Sequence, residues 1–393
     1  MSEQRWQIRV LDSLKNVDKT LWDSFANPKD EAYNPFISYD FLWALEETKC
    51  AINETGWLAQ HLALETETGK TLGFLPAYLK NHSQGEYVFD HAWADAFMRA
   101  GGNYYPKLQS CTPFTPATGR RLLAHEPAHK LALAHGYQQL CHNHKISSTH
   151  ITFMEKAECE HLIKNNPNYL MRNDQQFHFF NEGYDNFDGF LETLASRKRK
   201  AIKKERKLAL ENNGVSIEWI TGNELTEEIW DAFFTFYQDT GARKWGSPYL
   251  TREFFSKISE RMSNKILLIM AKRNERYIAG ALNFIGSDTL FGRHWGCIED
   301  HAYLHFEICY YQAIDYAIEH KLKRVEAGAQ GAHKLARGYV PTLTYSAHYI
   351  AHEDFRRAIK NYLHDEREAV KFDQNMLKEH APFKKEIINA NDL

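Results

Sequence analysis

The sequence predicts a mixed α/β fold, with helices flanking mostly antiparallel sheets, and it predicts that fold twice. Two observations carry this. The first is an internal repeat: LWDSF (21–25) and PFISYDFL (35–42) return as IWDAF (229–233) and PYLTREFF (248–255). The longer pair matches position by position: proline, aromatic, aliphatic, hydroxyl, any residue, acid, phenylalanine, large apolar. The second is a pair of strands after each copy. GWLAQHLAL (56–64) and TLGFLPAYL (71–79) read as one such pair, KILLIMAK (265–272) and YIAGALNFI (277–285) as the other. Short polar turns, TETGK and RNER, join each pair as hairpins are joined. The offset stays near 208 residues (Trp57 to Lys265), far too long for a solenoid. The expected division is a first domain over 1–165 and a second over 166–355, with a groove between them. A helical tail over 356–393 should pack on the second domain.

Length and composition agree. A chain of 393 residues exceeds what one core usually organises, and 43% hydrophobic with 13% aromatic residues supplies two. A formal net charge of -3 gives no global pull toward DNA or a membrane surface. The start, MSEQRWQIRV, has no apolar core of a signal peptide, and no stretch approaches a membrane span. Six cysteines without paired spacing read as reduced thiols, so the expected location is cytoplasmic. Twenty histidines invite a metal, but no H-E-x-x-H or tight Cys/His cluster is present and none is expected.

In the first half, EYVFDHAWADAF (86–97) reads as a third strand. It opens into a long connection with prolines at 106, 113 and 116, on which Lys107, Arg120 and Arg121 ride. Such length favours function over plain linkage, although Tyr104, Tyr105 and Phe114 could equally make it a packed cover.

Between the halves, FDGFLETLASRKRKAIKKERKLALENNGV reads as one helix over 188–212, capped by Asp188 and ended near Asn213-Gly214. On a helical wheel, Arg199, Lys200, Lys203, Lys204, Arg206 and Lys207 share a polar half. Lys198 and Glu205 fall in the apolar arc with Leu194, Ile202 and Leu208. An exposed basic face is usually only solvated. An inward lysine needs an anion, which makes Lys198 a candidate phosphate ligand.

The densest chemistry lies from Arg293 to Tyr339. TLFGRHW (289–295) reads as a strand carrying Arg293 and His294, Leu304 to His320 as a helix, and 323–326 as a short strand. A glycine-punctuated loop comes next, EAGAQGAHKLARGY, with Gln330, His333, Lys334, Arg337 and Tyr339 between or beside its glycines. Glu307 sits where a helix dipole favours a carboxylate whatever its role. The crowding of different polar types still favours a site over a solvated turn.

These stretches resemble the bacterial FemAB-like proteins, grouped under peptidoglycan biosynthesis or recognition within the GNAT-like acyltransferase superfamily. The resemblance is carried by NPFISYDFLWALEE, HSQGEYVFDHAWADAF, YYPKLQSCTPFTPATGRRLL, SRKRKAIKKER, DTGARKWGSPYLTREFF, IAGALNF, GRHWG, LHFEICYYQAIDYAI and EAGAQGAHKLARGY. It covers almost the whole chain. It implies tandem GNAT-like domains and transfer of an activated acyl or aminoacyl group to an amine. The donor would be aminoacyl-tRNA or acyl-CoA, and the acceptor an amine such as a cell-wall precursor. Within those motifs Glu307, His333, Arg293 and His294 are the catalytic candidates. Lys198, Lys107, Arg120, Lys244, Trp245, Gln330, Lys334, Arg337 and Tyr339 are the substrate-binding ones. Ala332 stands where the loop pattern implies an acid, which shifts weight to Glu307 and His333.

Three alternatives stay open. GNAT enzymes cradle the pyrophosphate of acyl-CoA on a tight strand-to-helix turn. Here RHWGCIEDHAYLHFE keeps Arg293 and Gly296 but lacks the second small residue, which counts against the usual acyl-CoA mode. A non-catalytic protein recognising cell-wall precursors would use the same loops. An RNA-binding module would use the basic helix, with few aromatics for stacking.

Overall fold

A computed structural model describes residues 5–211, 214–243, 248–328 and 331–384. The chain forms two compact units, one of 1–174 with 343–371 and one of 175–342 with 372–393. The strands of the first unit are β1 (Trp6–Leu11), β2 (Leu58–Ala59), β3 (His61–Thr66), β4 (Thr71–Leu75), β5 (Tyr78–Lys80), β6 (Lys107–Ser110) and β7 (Ser148–Met154). The chain enters the second unit within β8 (Leu170–Phe180). There it forms β9 (Val215–Ile220), β10 (Ile266–Arg273), β11 (Arg276–Ile285), β12 (Thr289–Cys297) and β13 (Arg324–Glu326), and it leaves within β14 (Val340–Ile350).

In the first unit β1, β3 and β4 make a small antiparallel sheet. A second sheet runs β2-β5-β6-β7-β14, antiparallel except for the pair β6/β7. A crossover helix, Pro127–Asn143, separates the two parallel strands, as a parallel connection requires. The second unit runs β9-β10-β11-β12-β13-β8, and its parallel pair β12/β13 is again separated by a helical run. The caps repeat too. The Ser38 hydroxyl accepts from the Phe41 amide at the start of helix Tyr39–Glu47, and Thr251 accepts from Phe254 at the start of Arg252–Met262. Each cap sets two apolar residues into its own core, Phe41 and Leu42 in one unit, Phe254 and Phe255 in the other.

Several local expectations are corrected. Residues 91–99 are a helix, His91–Arg99, not a third strand. The alternation of HAWADAF also places Trp93, Ala94 and Phe97 at helical spacing, and the first two are buried. The long connection after it contains β6, so Lys107 lies on a strand. Each strand of the first hairpin is broken. Gln60 separates β2 from β3, and Pro76 with Ala77 separates β4 from β5, where Pro76 has no N–H to continue a ladder.

The basic stretch is two helices, Phe187–Thr193 and Ser196–Leu210, with Leu194 and Ala195 extended between them (ψ 152° and 139°). Its first cap is Asn186, whose side chain accepts from Gly189 N, rather than Asp188. The terminal helix, Glu353–Glu379, belongs to the first unit as far as residue 371. There Ile359 and Leu363 pack with Trp93, Ala94 and Tyr104.

Candidate functional site

The second unit gathers the site from three elements. Helix Ser196–Leu210 supplies Glu205 and Arg206. The helical run from Leu304 to Glu319 carries a π-turn at Glu307–Tyr311, a wide turn that recurs at functional sites. A 3-10 turn, Ala332–Arg337, supplies His333, Lys334 and Arg337.

Glu307 is fully buried, and both of its oxygens are occupied. Arg206 Nε donates to Oε1 and Oε2 at 3.2 and 3.1 Å, and its terminal nitrogen donates to Oε1 at 2.9 Å. Gln312 Nε2 adds a bond to Oε1 at 2.7 Å, and Arg206 also reaches Asp315 at 2.6 Å. A carboxylate held this way is an acceptor already spent, so Glu307 anchors Arg206 rather than standing ready as a base. The wheel places Arg206 on the solvated half, and the structure corrects this. The signal for its partner is the charge of Glu307 and Asp315 eight residues apart in one helix.

His333 is different. Its ring is exposed, and Nε2 lies 2.8 Å from the Tyr310 hydroxyl. Burial of part of the ring, with Lys334 and Arg337 beside it, lowers its basicity below the ordinary histidine value, so the imidazole is neutral at pH 7. With the proton on Nε2, donated to Tyr310, Nδ1 keeps a free lone pair. The ring rests over Gly331, where a Cβ would come within 2.7 Å of it.

The turn is braced from behind. Arg337 donates to the His333 carbonyl at 2.8 Å and to both oxygens of Glu205 at 3.1 and 3.0 Å. Its guanidinium lies 3.4 Å from the centre of the Phe306 ring. Tyr311 donates to the same Glu205. Lys334 is buried and binds the carbonyls of Ala327 and Gly328 at 2.6 and 3.2 Å, and burial pushes it down to about 8. Tyr339, fully buried, donates to the Tyr310 carbonyl at 3.2 Å. Arg337, Lys334 and Tyr339 therefore hold the turn, and His333 is the group it presents.

Arg293 is the extra residue of a bulge where β12 slips against β11. Such a bulge re-aims a side chain. His294 meets the edge of Tyr237 at 5.0 Å, and burial with Arg293 beside it keeps the ring neutral. Gly296 is needed for packing, since a Cβ there would come within 2.1 Å of the Phe236 carbonyl oxygen. Its presence therefore says nothing about a phosphate cradle. Beside the site, an open groove of about 590 Å³ is lined by Phe187, Asp188, Lys203, Arg206, Lys207 and Asp315.

The other candidates fall elsewhere. Lys198 is exposed: it lies one turn before the buried Ile202, but the break removes Leu194 from that face and leaves Lys198 in the first turn of a helix that begins at Ser196. Lys107 and Arg120 belong to the first unit and are buried in it. Lys107 is bound to Ser83, Glu86 and Asp90, and Arg120 to the Ala26 carbonyl and Glu31. Lys244, Trp245 and Gln330 lie outside the described residues.

A family model described as FemAB-like, peptidoglycan biosynthesis/recognition, matches residues 13–385. No curated protein matches the sequence. Among solved structures, the crystal structure of FemX aligns with a TM-score of 0.55 at 12% identity, over 90% of this chain and all of that one. A conserved protein of unknown function from Bacteroides thetaiotaomicron aligns with 0.54 at 11%, over 87% and 99%. The C-terminal domain of a putative lysylphosphatidylglycerol synthetase from Agrobacterium fabrum aligns with 0.50 at 7%, over 80% and 95%. At these identities the likeness is one of fold.

Proposed function

We propose that this chain, which belongs to the FemAB-like family within the GNAT-like acyltransferase superfamily, transfers an activated acyl or aminoacyl group to an amine. The observation that carries the reading is His333, an exposed neutral imidazole on a braced turn. An ammonium acceptor must lose a proton before its nitrogen can attack. His333 Nδ1 takes that proton, the nitrogen bonds to the ester or thioester carbonyl, and the bond to the leaving oxygen or sulfur breaks. That proton passes to the leaving group, and the nitrogen, which carries one hydrogen too many after attack, releases a second proton to solvent as the amide forms. Arg293, aimed by its bulge, is the group we assign to the developing oxyanion.

The two units read as copies of one domain. The support is local: matched caps at Ser38 and Thr251, buried tryptophans at 22 and 230, and one parallel strand pair in each unit. The donor on this reading is aminoacyl-tRNA, with acyl-CoA second because RHWGCIEDHAYLHFE lacks the second small residue of the usual pyrophosphate turn, and the acceptor is an amine such as that of a peptidoglycan precursor.

Purified protein with labelled aminoacyl-tRNA or acetyl-CoA and a set of amines tests this. Transfer is expected, and His333→Ala should reduce it by roughly 10²–10⁴-fold, the usual worth of a general base, with the melting temperature unchanged. No transfer from either donor, together with tight binding of a muropeptide, would make the chain a recognition protein instead.

A further inference from the structure

The first unit hides a polar layer that the proposed transfer does not use. Strand register places Tyr78 opposite Gln109, Lys80 opposite Lys107, Gln109 opposite His150 and His150 opposite His348. These six side chains share one face of the sheet, and all are buried. Ser83, Glu86 and Asp90 close over them and are buried too.

Part of this layer is saturated. Lys107 donates to Ser83 Oγ at 2.7 Å, Glu86 Oε2 at 2.7 Å and Asp90 Oδ2 at 2.5 Å, which uses all three of its hydrogens. Tyr104 donates to the same Asp90 oxygen, and the two histidines meet through their Nδ1 atoms at 2.7 Å. The remainder is not. Among the described residues, Glu86 Oε1, Asp90 Oδ1, Gln109 Oε1, the Tyr78 hydroxyl and His348 Nε2 are buried in this layer with no hydrogen-bond partner. Lys80 approaches Glu86 Oε1 only to 3.9 Å, being held by the Gln84 carbonyl and the face of Trp57. Buried acceptors left unpaired are costly, and native proteins keep few of them.

We propose that this face is a binding site for a small molecule bearing a primary ammonium group, seated against Glu86, Asp90 and Gln109. Glu86 Oε1, Asp90 Oδ1 and Gln109 Oε1 can only accept, and the Tyr78 hydroxyl and His348 Nε2 are able to accept as well, which suits an ammonium with three donors and no acceptor. The charges fit as well. Burial pushes Lys80 down to about 7, so near neutrality Lys107 remains the firm cation facing two carboxyls. Burial raises Glu86 to about 7, and a bound cation would draw it back to the ionised form. The site lies wholly in the first unit, so it stands or falls apart from the transfer reading.

The probe is methylammonium chloride, with tetramethylammonium chloride at equal ionic strength as the control that lacks N–H donors. Methylammonium should raise the melting midpoint of the full chain saturably, and the control should not. In Glu86→Gln and in Gln109→Met the half-saturating concentration should rise by about tenfold or more, the worth of a charge-assisted hydrogen bond. If Glu86→Gln does not fold, Gln109→Met alone decides, because it leaves the Lys107 network intact. Equal response to the two salts, or Gln109→Met behaving as the parent, would overturn the proposal and leave the three oxygens to water.

Discussion

Each unit buries an ionic cluster, and the two clusters are built differently. In the first unit Lys107 joins Glu86 and Asp90 in full burial and leaves an oxygen of each carboxylate without a hydrogen bond. In the second, Arg206 joins Glu307 and Asp315, Arg337 joins Glu205, and both oxygens of Glu307 and of Glu205 are taken. Among the described residues Arg337 Nε is left without a hydrogen-bond partner, but the two glutamates are closed, and a network closed at its acceptors spends its charge on geometry. Here it fixes the turn that presents His333. An open network still has acceptors to give, which suits binding rather than support. The difference can be measured by breaking each cluster at its cation.

The largest effect should come from Lys107→Met. It leaves Asp90 buried without its cation and Glu86 with only the Lys80 amine at 3.9 Å, which costs on the order of 3–5 kcal/mol. Urea unfolding at pH 7 reads the loss. It should shrink at pH 4–5, as Glu86 and Asp90 take up protons in the variant. A loss under about 1 kcal/mol would mean the first cluster is solvated after all. Arg206→Met should cost less, about 2–3 kcal/mol. Arg206 keeps 22% exposure and Gln312 still donates to Glu307. In transfer assays this variant should lose rate by misplacing the π-turn, and replacement by Lys should restore stability more than rate.

How much of this is legible in the sequence depends on the range of the interaction that fixes each feature. The caps at Ser38 and Thr251 are readable because hydroxyl and phenylalanine amide lie three residues apart in both copies. The strand, helix and loop from Thr289 to Tyr339 are readable from their own periodicity. The break in the basic stretch is not, since LETLASRKRK contains no glycine or proline. It is imposed by residues almost two hundred positions away. Ala195 N donates to the Pro382 carbonyl, Lys384 N to the Thr193 carbonyl, and Leu194 bridges Phe383. Glu307 stands out in the sequence, but its role does not: the spacing of Glu307 and Asp315 signals a shared cation, and nothing near them identifies it as Arg206, about a hundred residues earlier.

Acidity should act with opposite signs on the buried histidines and the buried glutamates. Burial drives His178 in the second unit down to about 3, and His150 in the first likewise. An unfolded histidine binds its proton near pH 6.5, so between pH 6.5 and 3 the unfolded state holds more protons and stability falls as pH falls. Each such histidine contributes a slope of about 1.4 kcal/mol per pH unit. Glu86 and Glu158, raised to about 7 by burial, act in the opposite sense. Their folded forms hold protons that the unfolded chain has released, so stability falls as pH rises from about 4.5 to 7. His178→Gln should flatten the acid limb of a urea midpoint measured against pH. An unchanged limb would place His178 in contact with solvent.

The smallest effect should come from Lys198→Met. Were Leu194 to Leu210 one helix, Lys198 would point inward and its loss would unbalance a buried charge. With the break at Ala195, Lys198 instead sits exposed in the first turn of a new helix, where a cation opposes the helix dipole. Removing it should change stability by no more than about 0.5 kcal/mol, with a slight gain the expected direction. Lys203, paired at 2.8 Å with an exposed Asp188, should behave alike. If both lysines contribute to binding a polyanionic donor, each should do so as part of a screened field, weakening binding similarly and more at low salt than at high. A stability loss near 2 kcal/mol for Lys198→Met, with none for Lys203→Met, would return the basic stretch to a single helix and Lys198 to its core-facing side.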